Sequence, residues 1–143
     1  MSETMLTKLK LIKDYRFNVE FDVEGVPNLV VDEPKPVGEG VGPNPERLLS
    51  AAVGHCLSSS LLYCLHKARV KVRNLETNVK ANTWRNEQGH LRVRNIEVQM
   101  QLGVQKEDKV RVSRCLKIFE NYCTVTQSVR KGIDVNVNVD VKP

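Results

Sequence analysis

The segment that most constrains this chain is NPERLLSAAVGHCLSSSLLYCLHKA, residues 44–68, which is apolar on nearly every side when wound as a helix. Asn44 suits a helix N-cap, Pro45 the first helical position, and Glu46 the positive end of the helix dipole. Leu48, Leu49, Ala51, Ala52, Val53, Leu57, Leu61, Leu62 and Leu65 then spread apolar surface around the cylinder. A helix of this kind is buried in a core. Its length and the polar run Ser58, Ser59 and Ser60 argue against a membrane span. Lys67 and Arg69 complement the negative C-terminal end.

The flanking segments alternate with period two. Tyr15, Phe17, Val19, Phe21 and Val23 interleave with Arg16, Asn18, Glu20 and Asp22, the mark of a half-buried strand. Gly25 and Pro27 mark a turn, and NLVVD is a short second strand. Residues 34–45 hold four prolines and three glycines and form a loop. Its GEGVG run lacks the GK[ST] ending of a phosphate loop. Beyond the helix, Leu75, Thr77, Val79 and Ala81 share one strand face, and 86–89 is a turn. In LRVRNIEVQMQL the apolar phase shifts by one near Asn95, which predicts a β-bulge. Residues 106–121 read as a helix, and 126–131 as a short helix closed by Gly132. Val135, Val137, Val139 and Val141 predict a final one-sided strand. The order lacks regular βαβ alternation. It predicts a single α+β domain over 1–143, with mostly antiparallel sheets and a long buried central helix.

Composition narrows the function classes. At 143 residues, 41% hydrophobic and 27% charged, the chain has the makings of one ordinary core. The opening residues carry no signal-peptide apolar core, so a cytoplasmic location is expected. The net charge of +5 is spread along the chain, with a small cluster at Lys67, Arg69, Lys71 and Arg73. With aromatics at 5% and no RNA-binding motif, neither a nucleic-acid partner nor a membrane is expected.

The chemistry points to the cysteines: Cys56, Cys64, Cys115 and Cys123. None forms a CxxC pair, and a cytosolic chain uses cysteine for redox work, metal or burial rather than for a structural disulfide framework. Cys123 precedes the short predicted helix, where a thiol pKa is lowered. Two thiols brought together work as a peroxidatic and resolving pair: the attacked peroxide leaves a sulfenic acid, which condenses with the second thiol. Plain burial is the competing reading for any single cysteine. Cys64 lies eight residues from Cys56, and Cys115 eight from Cys123, so both are assigned to the core. His55 and Cys56 are adjacent and point apart, which opposes a compact metal site with Cys64 and His66.

Gly40, Asn44-Pro45-Glu46, Leu48-Leu49, Cys56 ten residues after Glu46, and Tyr122-Cys123 before the valine-rich end together resemble the OsmC/Ohr family over essentially the whole chain. The resemblance implies thiol-dependent reduction of organic hydroperoxides by an intertwined homodimer with two interfacial sites. Cys56 would be peroxidatic, Cys123 resolving, Glu46 the family's glutamate and Arg16 its N-terminal arginine. No bound cofactor or metal is implied; the reductant would be an external dithiol such as dihydrolipoamide. A guanidinium beside the thiol favours the thiolate, and a carboxylate holds that guanidinium in place. Ten residues of straight helix put about 15 Å between Glu46 and Cys56, so the helix starts or kinks nearer Gly54, or Glu46 acts through another segment or subunit. The rival readings are a non-catalytic, small-ligand-binding member and a basic nucleic-acid-binding module.

Overall fold

The alternation of the first segment becomes a three-stranded antiparallel sheet in the computed structural model, which describes residues 2–143. By internal contacts the chain falls into two compact units, Met1–Leu49 and Ser50–Pro143. In the first, β1 (Thr7–Lys13), β2 (Arg16–Phe21) and β3 (Leu29–Val31) lie in the order β1-β2-β3. Phe17 pairs with Leu11 on one side and Val31 on the other. The sequence reading starts its first strand at Tyr15 and omits β1. Asp14, at φ 52, makes the turn into β2, and every residue of β1 is exposed.

The loop after β3 is built on a carboxylate. Asp32 is buried, and its side chain accepts backbone N–H bonds from Glu33 at 2.8 Å, Glu39 at 3.2 Å and Val41 at 3.3 Å. Gly38 is required here, because a Cβ would overlap the Glu33 carbonyl and the Asp32 carboxylate.

The helix α1 runs unbroken over Pro45–Lys67, so it does not start late, near Gly54. The Asn44 Oδ1 accepts the Arg47 N–H at 3.3 Å, the expected N-cap bond. At the other end Val70 N–H reaches the Leu65 carbonyl at 2.9 Å and Arg69 N–H the His66 carbonyl at 3.0 Å. Arg69 takes the left-handed φ of 59, so this is a Schellman cap with Arg where glycine is usual. The expectation that α1 is too short for a membrane does not hold. Its 23 residues rise about 34 Å, and by length and composition it is apolar enough to span a bilayer.

In the second unit, β4 (Val72–Arg85) and β5 (Leu91–Val104) form one long antiparallel ladder. Asn82 pairs with Asn95 but Thr83 with Val93, so Arg94 is the extra residue of the predicted bulge. That insertion moves the half-buried positions from Val93 to Ile96, Val98, Met100 and Leu102. The sheet meets α1 closely. Ser58 Oγ lies 2.7 Å from both Thr77 Oγ1 and the Gly54 carbonyl, and a Cβ on Gly54 would come within 2.7 Å of Val79 Cγ2.

The predicted helix at 106–121 is three pieces: a 3₁₀ turn at Lys106–Asp108, α2 (Lys109–Ile118) and a second 3₁₀ turn at Phe119–Tyr122. The short helix α3 (Thr124–Lys131) ends at Gly132, at φ 77, as predicted. The final strand is not formed. Residues 132–143 have no sheet partner among the described residues, and Val135, Val137, Val139 and Val141 are between 75% and 89% exposed. Alternation predicts which face a strand would bury, but a strand needs a neighbouring backbone to bond to.

Candidate functional site

Folding the second unit pairs the four cysteines in two levels. Cys56 and Cys64 lie two turns apart on α1. Cys115 sits on α2, and Cys123 is the N-cap residue of α3. Cys64 and Cys115 form a disulfide with a Cα–Cα separation of 5.8 Å, whereas Cys56 and Cys123 are free thiols. Cys115 is in the core as expected, at 2% exposed, and Cys64 is only half-buried, but the two are bonded to each other and not merely packed. The signal was present in the equal spacings: 64 − 56 = 8 and 123 − 115 = 8. Two segments passing in opposite directions bring both pairs together.

Cys56 and Cys123 lie close enough for each thiol to shift the other's acidity. Cys123 is fully buried, while Cys56 is partly accessible. The Cys123 Sγ lies 3.0 Å from Thr126 Oγ1, and the Val125 N–H points at Cys56 Sγ from 3.4 Å. The start of α3 thus directs unshared backbone donors at the pair. Burial pushes the Cys56 thiol up, and its hydrogen bond to Cys123 adds to this more than the Val125 N–H offsets. Burial also pushes against ionisation of Cys123, but bonds from Cys56, Thr126 and Ser60 outweigh it and bring that thiol below its ordinary range. The two sulfurs share their protons, and the first proton lost belongs to the pair rather than to one residue. Thr126, Ser60 and the Val125 amide were not legible as site residues, because their roles depend on where α3 docks.

In the first unit, Arg16 on β2 donates from Nη2 to Glu39 Oε2 at 2.7 Å, and its Nε lies 3.9 Å from Asp32 Oδ2. Burial alone would raise the Asp32 pKa. The Val41, Glu33 and Glu39 amides, helped by the Arg16 charge, instead hold it below the usual carboxylate range. Carboxylates do fix this guanidinium, and Glu39 and Asp32 were not singled out from the sequence. Glu46 occupies the first turn of α1. Among the described residues, no three His, Cys, Asp or Glu gather as a metal site.

The model of the OsmC-like protein family matches residues 38–138. The chain belongs to this family. The fold of this OsmC-like protein is found in solved structures of low sequence identity. An OsmC-like protein of unknown function from Vibrio cholerae superposes with a TM-score of 0.76 at 18% identity, covering 90% of this chain and 94% of that one. An organic hydroperoxide resistance protein OsmC from Legionella pneumophila gives 0.66 at 18% identity, covering 97% and 98%. The organic hydroperoxide resistance protein OhrB of Bacillus subtilis gives 0.60 at 16% identity, covering 92% and 94%. No curated protein sequence matches the chain. The α+β class, the antiparallel sheets and the family itself are as the sequence motifs implied.

Proposed function

We propose that this OsmC-like protein is a thiol-dependent peroxidase for organic hydroperoxides, with Cys56 attacking and Cys123 resolving. The observation that carries the reading is the pair of free cysteines, Cys56 and Cys123, that both contact the first residues of α3. Cys56 is assigned the attack because it is the more accessible residue of the two. Cys123 is the more acidic of the two thiols, but exchanging one proton between them puts the thiolate on Cys56, where the Val125 amide supports it.

The Cys56 thiolate attacks the outer peroxide oxygen and the O–O bond breaks. The alkoxide leaves, takes a proton and becomes an alcohol. Cys56 is then a sulfenic acid. Attack by Cys123 forms the Cys56–Cys123 disulfide and releases water. An external dithiol, of which dihydrolipoamide is the type, returns both thiols by exchange and is itself oxidised. Arg16, held by Glu39 and Asp32, is proposed as the cation that serves the reaction, with Glu46 as a further positioning group. No resident metal or cofactor takes part in this scheme.

The working form is proposed to be a homodimer. The alternating valines of 135–141 are exposed, and the tail has no sheet partner among the described residues. A second copy supplies that partner and covers those valines. A cytoplasmic setting suits the free thiol pair.

The test is direct. The protein is treated with a reductant that leaves Cys56 and Cys123 as thiols, exposed anaerobically to a stoichiometric alkyl hydroperoxide, and mapped by mass spectrometry. A rapid Cys56–Cys123 disulfide, absent in Cys56→Ser, is expected. Thiols that survive prolonged exposure would overturn the peroxidase and favour a ligand-binding member of the family. Equal turnover of hydrogen peroxide and bulky alkyl peroxides would remove the preference for organic substrates.

A further inference from the structure

The second cysteine pair is not needed by the peroxidase cycle, yet it lies in the wall of an open cavity of about 1000 Å³. Both cysteines line that cavity, and Cys64, half-buried, is the more accessible residue, Cys115 being 2% exposed, so Cys64 is taken as the sulfur attacked. The same wall carries Lys67, Arg111 and Arg114, with Tyr63 among the apolar residues. Lys67 follows Cys64 by about one turn, and its ammonium stands 5.3 Å from the centre of the Tyr63 ring. Arg111 is anchored, donating to the Ala68 carbonyl at 3.0 Å and ion-paired with Asp108. Among the described residues, neither Lys67 nor Arg114 is ion-paired with a carboxylate. The cavity wall is therefore cationic beside a disulfide.

We propose that Cys64–Cys115 is a second redox site, which exchanges with a small thiol carrying a carboxylate. The ligand class follows from the charge. The cations attract an anionic thiol, and they stabilise the negative charge that spreads over three sulfurs as exchange proceeds. The thiolate attacks Cys64 Sγ, a new S–S bond forms, and the Cys64–Cys115 bond breaks. Cys115 leaves as a thiolate next to Arg114 in sequence and one turn from Arg111, and then takes a proton. A second molecule of the thiol attacks the sulfur of the bound one, freeing Cys64 and leaving as the oxidised dimer. Two electrons pass from two small thiols to the protein disulfide, and the reverse sequence reoxidises it. The proposal does not depend on the peroxidase reading.

The test uses Cys56→Ser/Cys123→Ser, which retains only this disulfide, and three probes: 3-mercaptopropionate, 2-mercaptoethanol and cysteamine. Rates of disulfide opening are measured per thiolate and divided by the rates of the same probes on an uncharged small disulfide. The expected result is an advantage of about tenfold for the carboxylate thiol over the ammonium thiol at low salt, shrinking at high salt. Lys67→Glu/Arg114→Glu is expected to reverse the order. The adduct is expected on Cys64, and is trapped there in Cys115→Ser by supplying the oxidised carboxylate probe. Peptide mapping of the wild-type protein under the same thiols gives the same readout without any substitution. A disulfide that opens only in denaturant, a first adduct on Cys115, or a probe order unchanged by the double charge reversal would each overturn the proposal.

Discussion

Cys56 on α1 and Cys123 at the N-cap of α3 both contact the first residues of α3, and each shifts the acidity of the other in the opposite direction. Interactions with Cys56, Thr126 and Ser60 favour ionised Cys123, while at Cys56 burial is offset by fewer favourable bonds. A pH titration of ultraviolet thiolate absorbance, with the Cys64–Cys115 disulfide intact, should show two steps, one below the usual thiol range and one above it. Thr126→Val removes a hydroxyl from the buried sulfur and should move the lower step up, while Cys123→Ser should bring Cys56 down by deleting a like-charge neighbour. A single step at the ordinary value in all three proteins would show that the pair is not coupled.

The Cys64–Cys115 disulfide closes a loop with a sequence separation of 51 residues. Restricting the unfolded chain over that length corresponds to roughly 4 kcal/mol in the chain-entropy treatment. Cys64→Ser/Cys115→Ser should therefore lower Tm by on the order of 10 °C for a chain of this size. Calorimetry of the two proteins under non-reducing conditions checks this. A change of only a degree or two would mean that the unfolded chain is already restricted there.

Gly54 is a helix residue with Val79 against it. Alanine there gains about 1 kcal/mol in helix propensity but overpacks a stiff β-branched side chain at a cost of about 1–3 kcal/mol. Gly54→Ala should thus be neutral to destabilising by about 2 kcal/mol. Val79→Ala should cost less in the Gly54→Ala background than in the wild type, because it removes the clash. Denaturant unfolding of the four proteins gives the coupling, and strict additivity would mean that α1 and β4 shift apart freely.

What the sequence made legible follows from which contacts are local. The cap at Asn44, the closure at Gly132 and the bulge near Asn95 each depend on a few adjacent residues, and each is found. β1 went unread although Leu9 and Leu11 alternate with Lys8 and Lys10, because one turn of mixed charge around it masked a strand whose residues are all exposed. The disulfide was lost for a different reason. Spacing along one helix shows that Cys64 sits two turns from Cys56, but only the docking of α2 shows what Cys64 meets. Arg16 was legible as a cation on a strand, whereas its carboxylate partner Glu39 comes from a loop whose path is set by Asp32.

That dependence on Asp32 has a sign in pH. Its carboxyl pKa is lowered in the folded protein, through the Val41, Glu33 and Glu39 amides. The stabilisation is therefore fully present above the unfolded value of about 3.9 and is lost as pH falls through the lower folded value. Asp32→Asn should remove that part of the acid dependence while leaving the neutral-pH fold, at reduced stability. Comparing unfolding midpoints from pH 7 downward tests it. Parallel losses in both proteins would assign the acid sensitivity to other carboxylates.

The unpaired tail supplies the sharpest test of assembly. A segment that alternates like a strand but leaves its valines in water has the pattern of an edge without a partner. Val137 and Val139 are two of those valines. In the proposed dimer they are buried against the second copy, so Val137→Lys/Val139→Lys places two ammonium groups in that interface. The variant should sediment as a monomer at concentrations where the parent is a dimer, with its β4–β5 ladder still protected in hydrogen exchange, since neither residue belongs to that sheet. If the parent is itself monomeric, or the variant dimerises equally well, the tail is not the element that joins two copies.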